Sequence, residues 1–169
     1  MAEQGRVIIK DRGLKQIFSN AVSVNGMKIA VGIQGPEAGA VEHDETDLSN
    51  VELGVVHEFG TAGVSLGRSG ATSGGIPARS FIRSTFDQKQ KRWLALMARA
   101  AKVLYSEKVL NPRQVLGVVG EKAKSDIIRT INKGIPPALV PSTIRRKGSS
   151  KPLIDTGQLK ASITWAIRK

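Results

Sequence analysis

The stretch "PRQVLGVVGEKAKSDIIRTIN", residues 112–132, decides the fold because it has the apolar spacing of a long amphipathic helix. Asn111 before it can cap the helix, and Pro112 suits the first helical position. Gly134, with Pro136 and Pro137 shortly after it, is a typical helix end. The residues predicted to face inward are Val115, Leu116, Val119, Ala123, Ile127 and Ile131.

A second helical pattern covers residues 77–106 and is the longest in the chain. Its apolar stripe is spaced by seven, four and seven residues, and neighbouring apolar residues widen it. Because the link to residues 112–132 is short, the two helices are predicted to form an antiparallel pair. The stripe consists of Phe86, Trp93, Met97 and Leu104, widened by Leu94, Ala100 and Ala101.

Two strands are predicted near the ends of the chain. "MKIAVGI", residues 27–33, alternates apolar side chains on one face. "AVSV", residues 21–24, precedes it across an Asn-Gly turn signal, which predicts a hairpin between the two. Residues 163–167 alternate in the same way and predict a closing strand. A short helix is predicted over residues 11–19.

Strands early and late in the chain, with helices between them, predict an α+β fold. We expect a small, mostly antiparallel sheet packed against two long helices. A length of 169 residues fits one domain, 1–169, with flexible loops at about 36–49, 61–76 and 134–151. The sequence has no cysteine and no apolar run long enough to span a membrane, so we expect no thiolate site and no membrane partner.

The stretch "VELGVVHEFG", residues 51–60, predicts a further helix, with Ser49 or Asn50 as its cap and Gly60 as its end. Glu52 would lie in the first turn, where a negative charge suits the helix dipole. We expect the apolar side chains of this helix to pack on the core. They are Val51, Val55, Val56 and Phe59.

This helix contains His57 followed by Glu58, the pair that a zinc hydrolase uses as ligand and base. A zincin motif needs a second histidine four residues on, where Thr61 stands, and neighbouring helical side chains point about 100° apart. We therefore predict no catalytic residue, no metal ligand and no cofactor. His57 and Glu58 are interpreted as helix-end polar groups near a subunit contact. The remaining metal alternative is a looser site of His43, Asp44, Asp47 and His57.

Charge is divided unevenly along the chain, whose net charge is +12. Residues 1–80 hold 7 Lys/Arg and 9 Asp/Glu, whereas residues 81–169 hold 19 and 5. Residues 37–58 carry seven acids and no base. A basic half favours nucleic acid or an acidic protein surface as a partner. Both signs on one chain also favour head-to-tail contacts between copies.

The stretch "IRRKGSSK", residues 144–151, is typical of a loop that grips phosphates. Aromatic residues make up only 4% of the chain and none lies in this stretch, so stacking on bases is not expected. Any contact with nucleic acid would be non-specific and sensitive to salt. Composition therefore leaves two candidate functions, protein assembly and nucleic-acid contact.

Three phrases carry a resemblance to a known family: "HEFGT" (57–61), "IPARSFIR" (76–83) and "PLIDTGQLKASI" (152–163). In this order, with a long helix pair between the second and third, they resemble the tail-completion or head–tail joining proteins of tailed bacteriophages. These are also described as neck or virion morphogenesis proteins. The resemblance covers about residues 51–169, and Ser80 stands where the family often has proline.

The resemblance implies a structural virion protein that forms a homo-oligomeric ring at the head–tail junction. Such a ring joins the capsid connector to the tail and leaves a channel for DNA. A hexamer is favoured and a dodecamer is the runner-up.

The implied partners are neighbouring connector or head-completion proteins and tail-terminator or tail-tube proteins, with non-specific contact to genomic DNA in the lumen. The implied location is the virion, with assembly in the bacterial cytoplasm. The alternative is a non-specific nucleic-acid-binding protein that uses the basic C-terminal half. The candidate assembly contacts are His57, Glu58, Arg79, Phe81, Arg83, Arg145, Arg146, Lys147, Asp155 and Thr156.

Overall fold

The structure is a computed structural model that describes residues 13–34, 42–43, 46–61, 75–105, 111–154 and 156–169. Helices and strands are mixed, so the predicted α+β class is confirmed. None of the described helices is long and apolar enough to cross a membrane. In chain order the elements are α1 (Leu14–Val24), β1 (Lys28–Ile33), β2 (Glu42–His43), β3 (Thr46–Ser49), α2 (Asn50–Phe59), α3 (Arg83–Leu104), α4 (Pro112–Lys133), α5 (Pro141–Lys147), α6 (Gln158–Ala161) and β4 (Ile163–Arg168).

Helix α4 begins and ends where the sequence predicts. The Asn111 side chain accepts a hydrogen bond from the Arg113 N–H at 3.1 Å, and Pro112 occupies the first turn. Gly134 ends the helix at φ 87, a left-handed value that favours glycine. The predicted inward face is confirmed, since its members are buried or half-buried. They are Val115, Leu116, Val119, Ala123, Ile127 and Ile131.

Helix α3 packs against α4 through apolar side chains and a row of polar contacts. Thr85 Oγ1 donates to Thr130 Oγ1 at 2.7 Å, and Trp93 Nε1 donates to Asp126 Oδ2 at 3.0 Å. Within α4, Lys122 Nζ lies 2.7 Å from Asp126 Oδ1, so the carboxylate that accepts from Trp93 is also paired with a lysine. The predicted start at residue 77 is wrong, because the helix begins six residues later and residues 75–82 are not helical.

Strands β1 and β4 form a two-stranded antiparallel sheet, with Ile29 opposite Ile167 and Val31 opposite Trp165. The sheet lies on α4, where glycine permits close approach. A Cβ atom at Gly120 would lie 2.5 Å from Cδ2 of Trp165. The Trp165 indole N–H donates to Glu121 Oε1 at 2.6 Å, which fixes the ring over the helix.

The predicted hairpin is wrong, because residues 21–24 form the last turn of α1 and not a strand. The predicted short helix over 11–19 therefore extends further and covers Leu14–Val24. Its docking explains the extension: Asn20 is buried and donates from Nδ2 to the Leu104 carbonyl at 3.1 Å. Val24 packs on the Leu104–Leu116 cluster.

Two of the predicted loops contain regular structure. Residues 46–49 form strand β3, which pairs antiparallel with β2, inside the predicted loop 36–49. Residues 141–147 form α5 inside the predicted loop 134–151, and Gly148 ends it at φ 65. The basic triplet therefore lies in the last turn of a helix, where positive charge suits the dipole. In the third predicted loop, residues 62–74 lie outside the described residues.

The main core brings together parts of the chain that are distant in sequence. Phe81 and Ile163 have no exposed surface, and they pack with side chains from α4 and from the segment leading into β4. Burying an apolar side chain of this size stabilises the fold by about 1.5–3 kcal/mol. The buried members of this cluster are Phe81, Ile127, Ile131, Leu153, Leu159 and Ile163.

Candidate functional site

Glu58, near the end of α2, is buried and caps the start of α3. Its Oε2 accepts from the backbone N–H groups of Phe81 at 2.9 Å and Ile82 at 3.0 Å. Its Oε1 accepts from the Arg83 N–H at 2.9 Å and from the Ser80 hydroxyl at 2.6 Å. Ile82 stands at the N-cap position of α3 and has no polar side chain, so a carboxylate from another helix supplies the cap.

The side chain of Arg83, in the first turn of α3, in turn donates hydrogen bonds to the end of α2. Its Nη2 donates to the Glu58 carbonyl at 3.1 Å, and its Nε donates to the Glu58 carboxylate at 3.1 Å. The guanidinium carbon lies 4.5 Å from the centre of the Phe59 ring, a cation–π distance. Each helix therefore caps the other, and the joint between α2 and α3 is fixed from both sides.

The hydrogen bonds at this joint determine the protonation of Glu58. Burial alone would raise the pKa of its carboxyl group, but the bonds from Ser80, from the Ile82 and Arg83 N–H groups and from the Arg83 side chain lower the pKa below its usual 4.5. The group is therefore charged near neutral pH, as a cap that accepts several N–H bonds requires.

The two chain segments next to residues 62–74 are bonded to each other. The Thr61 N–H donates to the Ile76 carbonyl at 2.8 Å, and the Ile76 N–H donates to Thr61 Oγ1 at 2.9 Å. The Arg79 N–H donates to the His57 carbonyl at 2.7 Å. Gly60 has φ 73, and a Cβ there would lie 2.7 Å from the Ile76 carbonyl oxygen. The phrases 57–61 and 76–83 thus form one interlocked unit.

The third phrase, residues 152–163, packs on the same unit. Leu159 and Ile163 are buried with Phe81, and a Cβ at Gly54 of α2 would lie 3.9 Å from Leu159 Cδ1. Lys147 Nζ donates to the Ile154 carbonyl at 3.0 Å, which ties α5 to this phrase. The three phrases that carry the family resemblance therefore converge in space.

The predicted inward face of α2 is wrong. Val51, Val55 and Phe59 are 42%, 53% and 61% exposed, and Val56 is half-buried. The buried residues are Asn50, Gly54 and Glu58. Gly54 allows close approach, since a Cβ there would lie 2.5 Å from Ile33 Cδ1, and the hydrogen bonds of Glu58 hold the polar face inward. The cap and end of the helix are confirmed: Ser49 and Glu52 form a capping box and Gly60 ends the helix.

The candidate assembly residues divide into a buried and an exposed group. Glu58, Arg79 and Phe81 are buried within the subunit, so their contacts are intramolecular. Arg79 donates from Nε to the Pro137 carbonyl at 2.9 Å, and burial lowers the pKa of its guanidinium. His57 and Lys147 are half-buried, and Asp155 lies outside the described residues. The exposed group consists of Arg83, Arg145, Arg146 and Thr156.

The sequence contains a row of three residues that the structure buries on α2, but nothing in it marks Glu58 as the cap of α3. Asn50, Gly54 and Glu58 recur every four residues and are as regular as the apolar row on the other face. The cap for α3 comes from a different helix, so the sequence next to Arg83 contains no trace of it.

The metal alternative receives no support from the side chains that the structure describes. Helix α2 ends at Phe59, so Thr61 is not on the same helical face as His57. The His43, Asp44 and Asp47 side chains lie outside the described set. Among the described residues, no group of three or more His, Asp or Glu side chains is close enough to hold a metal ion.

Two grooves lie on the α3–α4 pair. One is apolar, has a volume of about 370 Å³ and lies between β1, α3 and α4; Ile29, Phe86 and Leu94 are among its lining residues. The other, of about 690 Å³, lies between α3 and α4 and carries Arg92, Arg99, Lys122 and Glu121 along its sides.

The chain was compared with protein-family models, curated proteins and solved structures, and none of them matches it.

Proposed function

We propose that this chain is a structural virion protein of the head–tail junction, a tail-completion or neck subunit that joins the capsid connector to the tail. The observation that supports the proposal is the convergence of the three resembling phrases on one unit. Glu58 bonds the first phrase to the second, and Leu159 and Ile163 of the third pack on Phe81 of the second. The role requires no catalytic residue and no cofactor.

The rigid α2–α3 joint suits a subunit that must hold its shape inside an assembly. Its bonds fix both chain segments that flank residues 62–74, and α2 presents exposed Val55 and Phe59. Exposed apolar side chains of this kind are typical of surfaces that bind other proteins. We propose that copies form a ring, six in number or twelve as the runner-up, between connector or head-completion proteins and tail-terminator or tail-tube proteins, with DNA passing through.

The test is electron microscopy of particles made without this protein. Filled heads beside unattached tails would support the joining role, and normal particles would overturn it. Restoration by the wild-type chain serves as the control.

The Arg145→Ala/Arg146→Ala variant refines the test, because both side chains are exposed at the end of α5. It should lower the yield of infectious particles without changing the melting temperature. Lys147 is left in place, since it bonds the Ile154 carbonyl.

Non-specific nucleic-acid binding is the second candidate, and the basic groove between α3 and α4 favours it. Arg92, Arg99 and Lys122 lie along this groove, and of the three only Lys122 forms a salt bridge among the described residues. Fluorescence anisotropy with a random DNA duplex tests it. Arg92→Ala/Arg99→Ala should weaken binding and flatten its salt dependence, because each phosphate contact adds to the salt slope. Equal binding by this variant and the wild-type chain would overturn the assignment.

A further inference from the structure

Strand β1 has one paired and one unpaired edge. On one side it pairs with β4 along its whole length, from Lys28 opposite Arg168 to Ile33 opposite Ile163. In an antiparallel pair, every second residue directs its N–H and C=O groups away from the partner strand. Among the described residues no other strand pairs with β1 and no side chain bonds to its backbone, so these groups form an open row along its outer edge. Such an edge is a template for one further strand.

The space beside this edge is an apolar groove of about 370 Å³. Ile29 and Val31 of β1 line it together with residues of α3 and α4, whereas no residue of β4 does, so the groove lies on the outer side of β1. Two side chains on its α3 side, Phe86 and Leu94, are 52% and 65% exposed. An added strand would therefore find hydrogen-bonding groups on one side and apolar side chains below it.

The sheet is too narrow to cover both long helices. Strands β1 and β4 both lie on α4, where Trp165, opposite Val31, packs against Gly120. Neighbouring strands lie about 4.8 Å apart and packed helices about 8–10 Å apart, so two strands cover one helix but not two. A third strand beside β1 would lie over α3 and would cover Phe86 and Leu94.

The groove has the length of a short strand. Strand β1 runs along α3, since Ile29 packs in one cluster with Met97 and a Cβ at Gly32 would lie 3.7 Å from Cδ1 of Ile82. From Phe86 to Met97 helix α3 rises about 16 Å, which about five residues of a strand also span. Because successive side chains of a strand point to opposite faces, apolar residues at alternate positions of the added strand would face α3.

The occupant is an extended segment and not the sheet of a second copy. The inward face of β4 rests on α4 of its own subunit, with Trp165 against Gly117 and Gly120. If β4 of another copy paired with this edge, the α4 helix beneath it would have to occupy the position of α3. The same conflict arises for β1, which also lies on its own α4. A segment with no helix beneath it meets no such conflict, because α3 supplies the missing layer.

We propose that the outer edge of β1 binds an extended segment of a partner protein as a third strand, with alternate apolar side chains of that segment on Phe86 and Leu94. Main-chain hydrogen bonds to the edge supply affinity, and the groove selects apolar side chains at alternate positions. This peptide-binding site goes beyond the neck function and does not depend on it.

Amide hydrogen exchange by NMR on the full-length chain tests the site with a defined probe. The probe is a pool of synthetic peptides of about nine residues, in which valine, isoleucine, leucine or phenylalanine alternates with threonine or serine. At saturation it should slow exchange at every second amide of β1 about tenfold or more, because only the free edge exchanges. A control pool carries N-methyl groups on two adjacent central residues, which block bonding on both edges and keep the side chains. No added protection, or equal protection by the methylated pool, would overturn the site.

A pair of matched variants supplies the second measurement. Leu94→Glu places a charge in the groove, and Val118→Glu places the same charge at an exposed apolar position, 58% exposed, that lines the basic groove instead. Leu94→Glu should weaken binding of the pool about tenfold or more, as expected when a central contact is lost, and Val118→Glu should leave it unchanged. Unchanged melting temperatures show that both variants fold. Equal binding by the two variants would contradict the proposal.

Discussion

Helices α2 and α4 bury opposite kinds of surface. Helix α4 buries Leu116 and Ile127 and turns Val118 to solvent, whereas α2 buries Gly54 and Glu58 and exposes Val51 and Val55. In α4 apolar packing determines the orientation. In α2 the hydrogen bonds of one carboxylate and the small size of one glycine determine it, so the apolar face is left available to a partner.

The largest expected loss of stability comes from a change on the buried apolar face of α4. Ile127→Ala should lower the free energy of unfolding by about 2–5 kcal/mol, because it removes a fully buried side chain and leaves a cavity. Chemical denaturation measures the change. Val118→Ala on the exposed face of α4 is the control and should change it by about 0.5 kcal/mol or less. Similar losses in the two variants would show that packing does not orient α4.

A smaller loss of stability is expected from a change on the buried polar face of α2. Glu58→Ala should lower the free energy of unfolding by about 1–3 kcal/mol, because three backbone N–H groups lose their acceptor. Glu52→Ala is a useful comparison, since that carboxylate caps its own helix at an exposed position. The account requires the Glu58 variant to be the less stable of the two in thermal or denaturant unfolding.

The same carboxylate makes stability depend on pH. Burial raises the pKa of Glu58, but its hydrogen bonds outweigh burial and leave the pKa in the folded chain below the usual 4.5. Its stabilisation is therefore complete above that value and is lost as the pH falls through the lower folded value. The stability difference between the wild-type chain and Glu58→Gln should narrow in acid. Asp126, whose pKa is also lowered, is present in both proteins, so its titration cancels in this stability difference. A stability difference that stays constant as the pH falls would therefore argue against the role assigned to Glu58.

The smallest effect on folding is expected at the exposed apolar side chains of α2, which are Val51, Val55 and Phe59. Val55→Glu should change the free energy of unfolding by about 0.5 kcal/mol or less, because the side chain is half exposed and faces away from the core. Val119→Glu places the same substitution on the buried face of α4 and should prevent stable folding. Circular dichroism of the two variants separates the cases. Unfolding of Val55→Glu would mean that the exposed apolar face of α2 is part of the core.

The sequence predicted the helices and strands better than it predicted which of them pair or pack with one another. The bounds and buried face of α4 follow from Asn111, Pro112, Gly134 and a regular apolar spacing, and all of these act locally. Strands β1 and β4 were also predicted, but β1 pairs with β4, more than a hundred residues away, and not with residues 21–24. Turn chemistry identifies a turn without saying which segment the strand pairs with, and here docking of Asn20 on Leu104 keeps residues 21–24 helical.

The candidate site was the least predictable part, because its determinants act across helices. Arg83 begins α3 since a carboxylate from α2 caps its first N–H groups, which no pattern within 77–106 reveals. Helical periodicity placed Val51, Val55 and Phe59 on one face of α2, but it wrongly predicted that this face is buried. Gly54 and Glu58 contain that information only when Ile33 and the start of α3 lie beside them.

The central claim is that the Glu58 carboxylate caps α3 and so fixes α2 with the side chains of Val51, Val55 and Phe59 facing outward. Amide hydrogen exchange by NMR tests it most directly, because the first N–H groups of a helix ordinarily lack an intrahelical acceptor and exchange readily. The account predicts slow exchange at Phe81, Ile82 and Arg83 in the wild-type chain and its selective loss in Glu58→Ala. Fast exchange of these three amides in the wild-type chain would contradict it.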